Sequence, residues 1–334
     1  MSLKKELFGI LCLIAALVIF SVAAGRVLTP KRLDYGATWD MYLKEPEDSI
    51  DVLFFGTSLA YFDVVPAVIY DETGVTSYVM AGPEQTYAVT YSYLTESCKT
   101  QSPQAVFVEA TGLLTGKSNR SVKVNLTYMP WGKNRITTTF EEASEDELPG
   151  LLFPLYAYHD RWDDLTDQDW QIGLSGYEAD PLAGYTFMAK HTAIEEFEQR
   201  EFEDAEENYA RNLEVAKKMA DFCRQENIRL VFFLSPVTNR IEDGTVQQMK
   251  RDLTALDADF ADFNETFEEV GFDLSMDFYD PLHTNSYGAE KFSRYLADRL
   301  PEYGIAPDGQ GDTELWRGRV DTFVQKLAEG REVE

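Results

Sequence analysis

The apolar positions of this chain follow two kinds of pattern. From Leu7 to Ala24 they run almost unbroken, with Lys4 and Lys5 just ahead of them. A membrane-spanning helix needs roughly 20 apolar residues, whereas the core of a cleaved signal peptide has about 7–15. The run therefore predicts a retained signal anchor over residues 1–25, with Ser21-Val22-Ala23 as the alternative, a cleavage site. Lys4 and Lys5 favour a cytoplasmic N-terminus, while Arg26, Lys31 and Arg32 flank the other end. A long acidic domain translocates regardless of such local charges. The expectation is a single-pass protein of the cell membrane, crossing through residues 7–24, with its main domain extracytoplasmic.

After a juxtamembrane linker at residues 26–50, short apolar runs alternate with amphipathic stretches over an expected domain at 51–334. Asp51–Phe55, Val75–Met80, Ala105–Glu109 and Ile228–Leu234 are runs of buried-strand type, closed by Gly56, by Ala81-Gly82-Pro83, by Ala110-Thr111 and by Ser235-Pro236. Between and after them, helices are expected from Pro66 to about Gly74, over Thr86–Lys99, over Glu195–Gln225, over Tyr287–Leu300 and near Thr313–Leu327. In the long one, Tyr209, Leu213, Ala216, Ala220 and Cys223 recur at spacings of three and four, the stripe of a helix packed on a sheet. Strands separated by helices need crossover connections. The expected fold class is α/β: a doubly wound, largely parallel sheet flanked by helices in three layers, preceded by one transmembrane helix. An aromatic-rich insertion occupies about residues 113–192, including Tyr128, Trp131, Trp162 and Trp170.

Charge narrows the partners. The formal net charge of -28 would repel phosphates, so nucleic acid is excluded as a partner. A neutral polymer or a small ester suits such a surface better. Cys12, Cys98 and Cys223 are too few for a disulfide framework and are expected as free thiols. Three scattered histidines offer no metal-ligand spacing, and no motif calls for a cofactor.

In a parallel sheet, ligands bind beyond the carboxyl ends of the strands. Ser58 stands there, after the first strand and close to a helix start, where backbone N–H groups favour developing negative charge. A serine needs a base, and the base needs an orienting group. Of His159, His191 and His283, the last lies in Asp280-Pro281-Leu282-His283 just before a late helix, with a carboxylate three residues ahead of the imidazole. Taken alone, Gly-x-Ser is also a common turn and Asp-x-x-His a capping pair; position is what joins them. An α/β-hydrolase elbow would need glycine where Ala60 stands.

Phe55-Gly56-Thr57-Ser58 resembles the first block of the SGNH (GDSL-like) hydrolases, with Thr57 in place of the commoner Asp, and Asp280-Pro281-Leu282-His283 resembles the last block. The likeness covers about residues 51–300. It implies Ser58 as nucleophile, His283 as base, Asp280 as orienting group and Gly82 as a backbone donor to the oxyanion hole. The asparagine usual in the third block has no counterpart in Phe107–Gly112. Gln85, two residues past Pro83, is the expected substitute. The anchor, the Gly-Thr-Ser block and Tyr158-His159-Asp160-Arg161-Trp162 are similar to the branch containing DltD and the alginate-acetylation proteins. That likeness implies a membrane-bound O-acyltransferase as partner and a polysaccharide or other hydroxylated acceptor. Arg161 has two readings, a lining of the acceptor groove or a packing element of the insertion; Glu109 is a conceivable partner for it.

Three functions remain open from sequence: O-acyl transfer to a surface polysaccharide, hydrolysis of a carbohydrate or lipid ester, and a non-catalytic accessory module that docks an acyltransferase.

Overall fold

The structure, a computed structural model, describes residues 3–333. Five strands form the main sheet: β1 (Val52–Gly56), β2 (Ser77–Ala81), β3 (Ala105–Glu109), β4 (Arg229–Leu234) and β5 (Asp259–Asp262). All pair in parallel in the order β2-β1-β3-β4-β5. The principal helices are α1 (Leu3–Leu28), α2 (Pro66–Thr73), α3 (Tyr87–Ser97), α4 (Ala205–Glu226), α5 (Ser286–Arg299) and α6 (Thr313–Val333). The fold is α/β, a parallel sheet flanked by helices, with one long apolar helix at the N-terminus.

Period-two alternation along the strands sorts the core into two layers. Leu53, Phe55, Val106, Val108 and Phe232 face a layer with Ala216, Met219 and Cys223 of α4, whereas Phe54, Phe107, Val231 and Phe233 face Phe292 and Leu296 of α5. Each large side chain buried in this way contributes about 1.5–3 kcal/mol. Local signals set several boundaries. Pro66 occupies the first turn of α2 and Gly74 closes it in the left-handed conformation; the Thr86 hydroxyl caps α3.

The structure corrects three expectations. The long helix begins at Ala205, not at Glu195. In a helix Glu195, Glu198 and Glu201 would stack like charges at spacings of three, which is destabilising. Glu198–Gln199 instead pairs in parallel with Asn239–Arg240. Residues 37–50 are not a free linker: Ala37, Trp39, Tyr42 and Ile50 belong to the core. β5 went unrecognised because its Asp-Phe-Ala-Asp sequence is that of a half-buried edge strand. The three cysteines are free thiols, as expected.

Arg319 of α6 and Glu45 form an ion pair with side chains 1% and 0% exposed, and Arg319 Nε also donates to the Asp180 carbonyl at 3.0 Å. This pair ties the C-terminal helix to the segment that follows the apolar N-terminal helix.

Candidate active site

In the strand order β2-β1-β3, the chain leaves β1 toward one edge and returns to its other side at β3. The carboxyl end of β1 is therefore a topological switch point, where such sheets bind ligands. Gly56 ends β1 with φ +152°, and a Cβ there would lie 2.5 Å from Cβ of Glu109, so only glycine fits. A four-residue helical turn, Ser58–Tyr61, follows at once. Thr57 caps this turn, its hydroxyl accepting from Leu59 N–H at 3.3 Å. That accounts physically for a short hydroxyl residue ahead of the serine. Ser58 is the first residue of the turn, so its N–H has no acceptor within the helix.

The late Asp-x-x-His segment arrives from the other side of the fold. Phe278–Asp280 and His283–Thr284 pair as a small antiparallel ribbon. The His283 ring donates from Nδ1 to Asp280 at 2.9 and 3.0 Å, and Nε2 lies 2.8 Å from Ser58 Oγ. Burial works against the Asp280 carboxylate. The hydrogen bonds it accepts from the His283 ring and from the backbone N–H groups of Leu282 and His283 outweigh that and hold it below its ordinary pKa. An ionised carboxylate only accepts, so the ring proton sits on Nδ1 and Nε2 is left to accept from the serine hydroxyl. The imidazole also meets Phe62 edge-on, with centroids 5.1 Å apart.

Several neighbours were not expected at the site. Asp63 is fully buried; its Oδ1 accepts from the Thr284 backbone N–H at 3.1 Å and from the Thr284 hydroxyl at 2.8 Å. It thereby fixes the residue next to His283. Burial pushes Asp63 up to about 7, against the opposing charge of His283. Glu109 at the end of β3 is pushed up to about 7 by burial too, against hydrogen bonding from Thr111 and the charge of Arg200. Ser235, at the end of β4, donates to the Leu59 carbonyl at 2.8 Å and braces the turn that begins with Ser58.

These raised carboxyls have a definite consequence. Between the ordinary carboxylate range and about pH 7, the folded protein keeps protons that the unfolded chain has released. Raising the pH through that window therefore favours unfolding, and above it the loss levels off. Urea midpoints measured from pH 5 to 8 should fall less steeply in Asp63→Asn and Glu109→Gln than in the parent chain. Parallel slopes in parent and variants would show that neither group stays protonated.

The other expected residues are placed as follows. A Cβ on Gly82 would come within 2.1 Å of Asn125 Oδ1, and the Gly82 N–H points at the Gly56 carbonyl at 3.3 Å. The Gly82 N–H is thus engaged, if weakly, rather than free for an oxyanion. Gln85 is buried, but its Nε2 donates to the Thr90 hydroxyl at 3.0 Å and to the Met80 carbonyl, so the proposed substitute donor is spent inside the fold. Asn125, on helix Asn119–Thr127 of the insertion, is fully buried; its Nδ2 donates to the Pro83 carbonyl at 3.0 Å and its Oδ1 has no partner. It came from a segment where no motif pointed to it.

Arg161 is not brought to Ser58. It donates to the Leu28 carbonyl at the end of α1 and pairs with Asp169 at 3.4 Å. Its role is to join the insertion to the apolar helix, and Glu109 faces the charge of Arg200 instead. Concavities of about 530 and 360 Å³ lie elsewhere, lined respectively by Gln104, Cys223 and Asp259 and by Thr86, Lys133 and Arg211. Among the described residues, no cluster of His, Cys, Asp and Glu side chains is disposed to hold a metal ion. In comparisons with known proteins, no family model and no curated protein matches this chain.

Proposed function

We propose that this chain is a membrane-anchored serine enzyme of the SGNH type, which carries an acyl group on Ser58 and passes it to a hydroxyl of an extracytoplasmic polysaccharide. The observation that supports this reading best is the unbroken relay from Ser58 Oγ through His283 to Asp280 at the switch point of the sheet. The acyl donor would come from a membrane-bound O-acyltransferase, in keeping with the apolar helix at the N-terminus.

The chemistry is acyl transfer in two halves. Ser58 Oγ attacks the donor carbonyl while His283 Nε2 takes its proton. That proton then goes to the leaving oxygen as the first ester bond breaks. In the second half, Nε2 takes the proton of the acceptor hydroxyl, which attacks the acyl-enzyme and restores Ser58. Asp280 holds the ring and stabilises the imidazolium in both halves. The Ser58 N–H is one donor to the oxyanion. We assign the second to Asn125, whose Nδ2 gives one N–H to the Pro83 carbonyl and keeps its other for an oxyanion, whereas Gln85 spends both of its own. Removing one oxyanion donor costs about 100–1,000-fold in rate. Asn125→Ala should lose that much in kcat with little change in KM, and Gly82→Ala, which collides with the same amide, should do likewise. An unchanged kcat in Asn125→Ala would dismiss Asn125 from the chemistry.

The deciding experiment for the enzyme reading is active-site labelling. The detergent-solubilised full chain is treated with a fluorophosphonate and the adduct located by peptide mass spectrometry. One adduct at Ser58, much reduced in His283→Ala, is expected. A folded sample with no adduct would turn the reading toward a non-catalytic module. Adding oligosaccharide to the acyl-enzyme then separates transfer from hydrolysis by the product that carries the acyl group.

A further inference from the structure

We infer that the insertion forms an aromatic shelf seated in the headgroup region of a lipid bilayer, so that Ser58 is held close above the membrane surface. This rests on reading α1 as the membrane-spanning helix. Its side chains are exposed from Lys4 to Ala23, whereas Ala24, Val27 and Leu28 are buried. Counting from Lys5, the roughly 20 residues needed to cross the hydrocarbon end near Gly25. The protein takes over at that point. Gly25 faces Pro154 with 4.0 Å to the position of a Cβ, and a Cβ on Gly173 would lie within 2.8–3.2 Å of Val27 atoms. Helices Pro154–Tyr158 and Asp167–Ser175 thus grip the turn of α1 that leaves the bilayer, and Arg161 and Lys31 donate to its last carbonyls.

These gripping elements carry large apolar side chains on their free sides. Phe153, Tyr156, Trp162, Trp170 and Leu174 are between 46% and 69% exposed. Trp170 and Leu174, four residues apart, share one face of their helix, while Asp169 and Gly173 turn toward α1 and its surroundings. Side chains attached this close to the exit turn lie at interfacial depth, where Trp and Tyr are favoured. Asp160, Asp163, Asp164 and Asp167 interrupt the same surface, and the chain is acidic overall. Apolar insertion, not attraction to anionic lipid, therefore drives the contact.

The site lies a short way off. The eight residue-to-residue steps from Leu28 to Gly36 span at most about 29 Å. At Gly36 the chain touches the nucleophile turn, since a Cβ there would lie 2.8 Å from the Tyr61 ring and 2.3 Å from the Ala81 carbonyl. A shelf fixed in the headgroups thus limits how far Ser58 can stand from the bilayer.

The test uses the full chain in phosphatidylcholine nanodiscs carrying spin-labelled lipids, with the label either near the headgroup or deep in the acyl chain. Tryptophan quenching should be stronger with the shallow label, and Trp162→Phe/Trp170→Phe should abolish at least half of it. Trp39 and Trp316 are buried and should contribute none. Replacing a third of the lipid by an anionic one should leave quenching unchanged. Carbonate-resistant insertion without quenching would overturn the shelf and point to a protein partner on that face. Release by carbonate would overturn the spanning reading beneath it.

Discussion

Ser58→Ala and His283→Ala should each lower the turnover of an activated aryl ester by on the order of 10⁶-fold, and the double variant should be no worse than either. The reason is that the two groups act as one unit. Ser58 Oγ is a poor nucleophile until Nε2, 2.8 Å away, removes its proton, and the imidazole does nothing without a hydroxyl to deprotonate. Asp280→Asn keeps the shape of the relay but removes the charge that holds the proton on Nδ1, and should cost about 10⁴-fold. Single-turnover release of the aryl alcohol measures all three. If the losses in Ser58→Ala and His283→Ala multiply in the double variant, the side chains are contributing separately and the relay is not operating. Residual activity above the uncatalysed rate would report the oxyanion donors.

Arg319→Met should be among the most destabilising single changes in the domain, by about 3–5 kcal/mol. The guanidinium lies within a buried pair with Glu45 and stacks over Trp316 at 4.5 Å. Burial already raises the Glu45 carboxyl, and Arg319 is what opposes that rise. Removing the arginine leaves a carboxyl with no counter-charge in the core, close to Asp180. Thermal unfolding of the solubilised chain should shift down by on the order of 10 °C. Arg319→Met/Glu45→Leu should recover most of the loss, because an apolar pair of similar size escapes the cost of desolvating two charges. A double variant as unstable as Arg319→Met would mean that the Asp180 carbonyl contact, not the ion pair, carries the effect.

The two predictions draw on opposite kinds of information. The candidate relay of Ser58, His283 and Asp280 was legible in the chain because each residue is tied to a local signal: a glycine-ended apolar run before Ser58, and a carboxylate three residues ahead of His283. Four of the five sheet strands were legible for a similar reason, since buried parallel strands are nearly continuous apolar runs. The apolar helix at the N-terminus needed only its length and composition. Such features depend on residues close together in sequence, where periodicity and propensity operate.

What only the tertiary structure decided is everything that depends on distant segments meeting. Asn125 comes within reach of Gly82 because the insertion folds back over β2; nothing around it in sequence points there. Asp63 acts on His283 through Thr284, more than 220 residues away along the chain. Arg161 had two readings, a groove lining or a packing element of the insertion, and only the fold decides for the second, since the end of α1 claims its hydrogen bonds. The acidic stretch before α4 is rich in helix formers, yet Glu198–Gln199 pairs with Asn239–Arg240, a contact that exists only once β4 is in place. Local propensity assigns elements and their chemistry. The close packing of a finished core, in which a single Cβ too many cannot be accommodated, selects which side chains share a site.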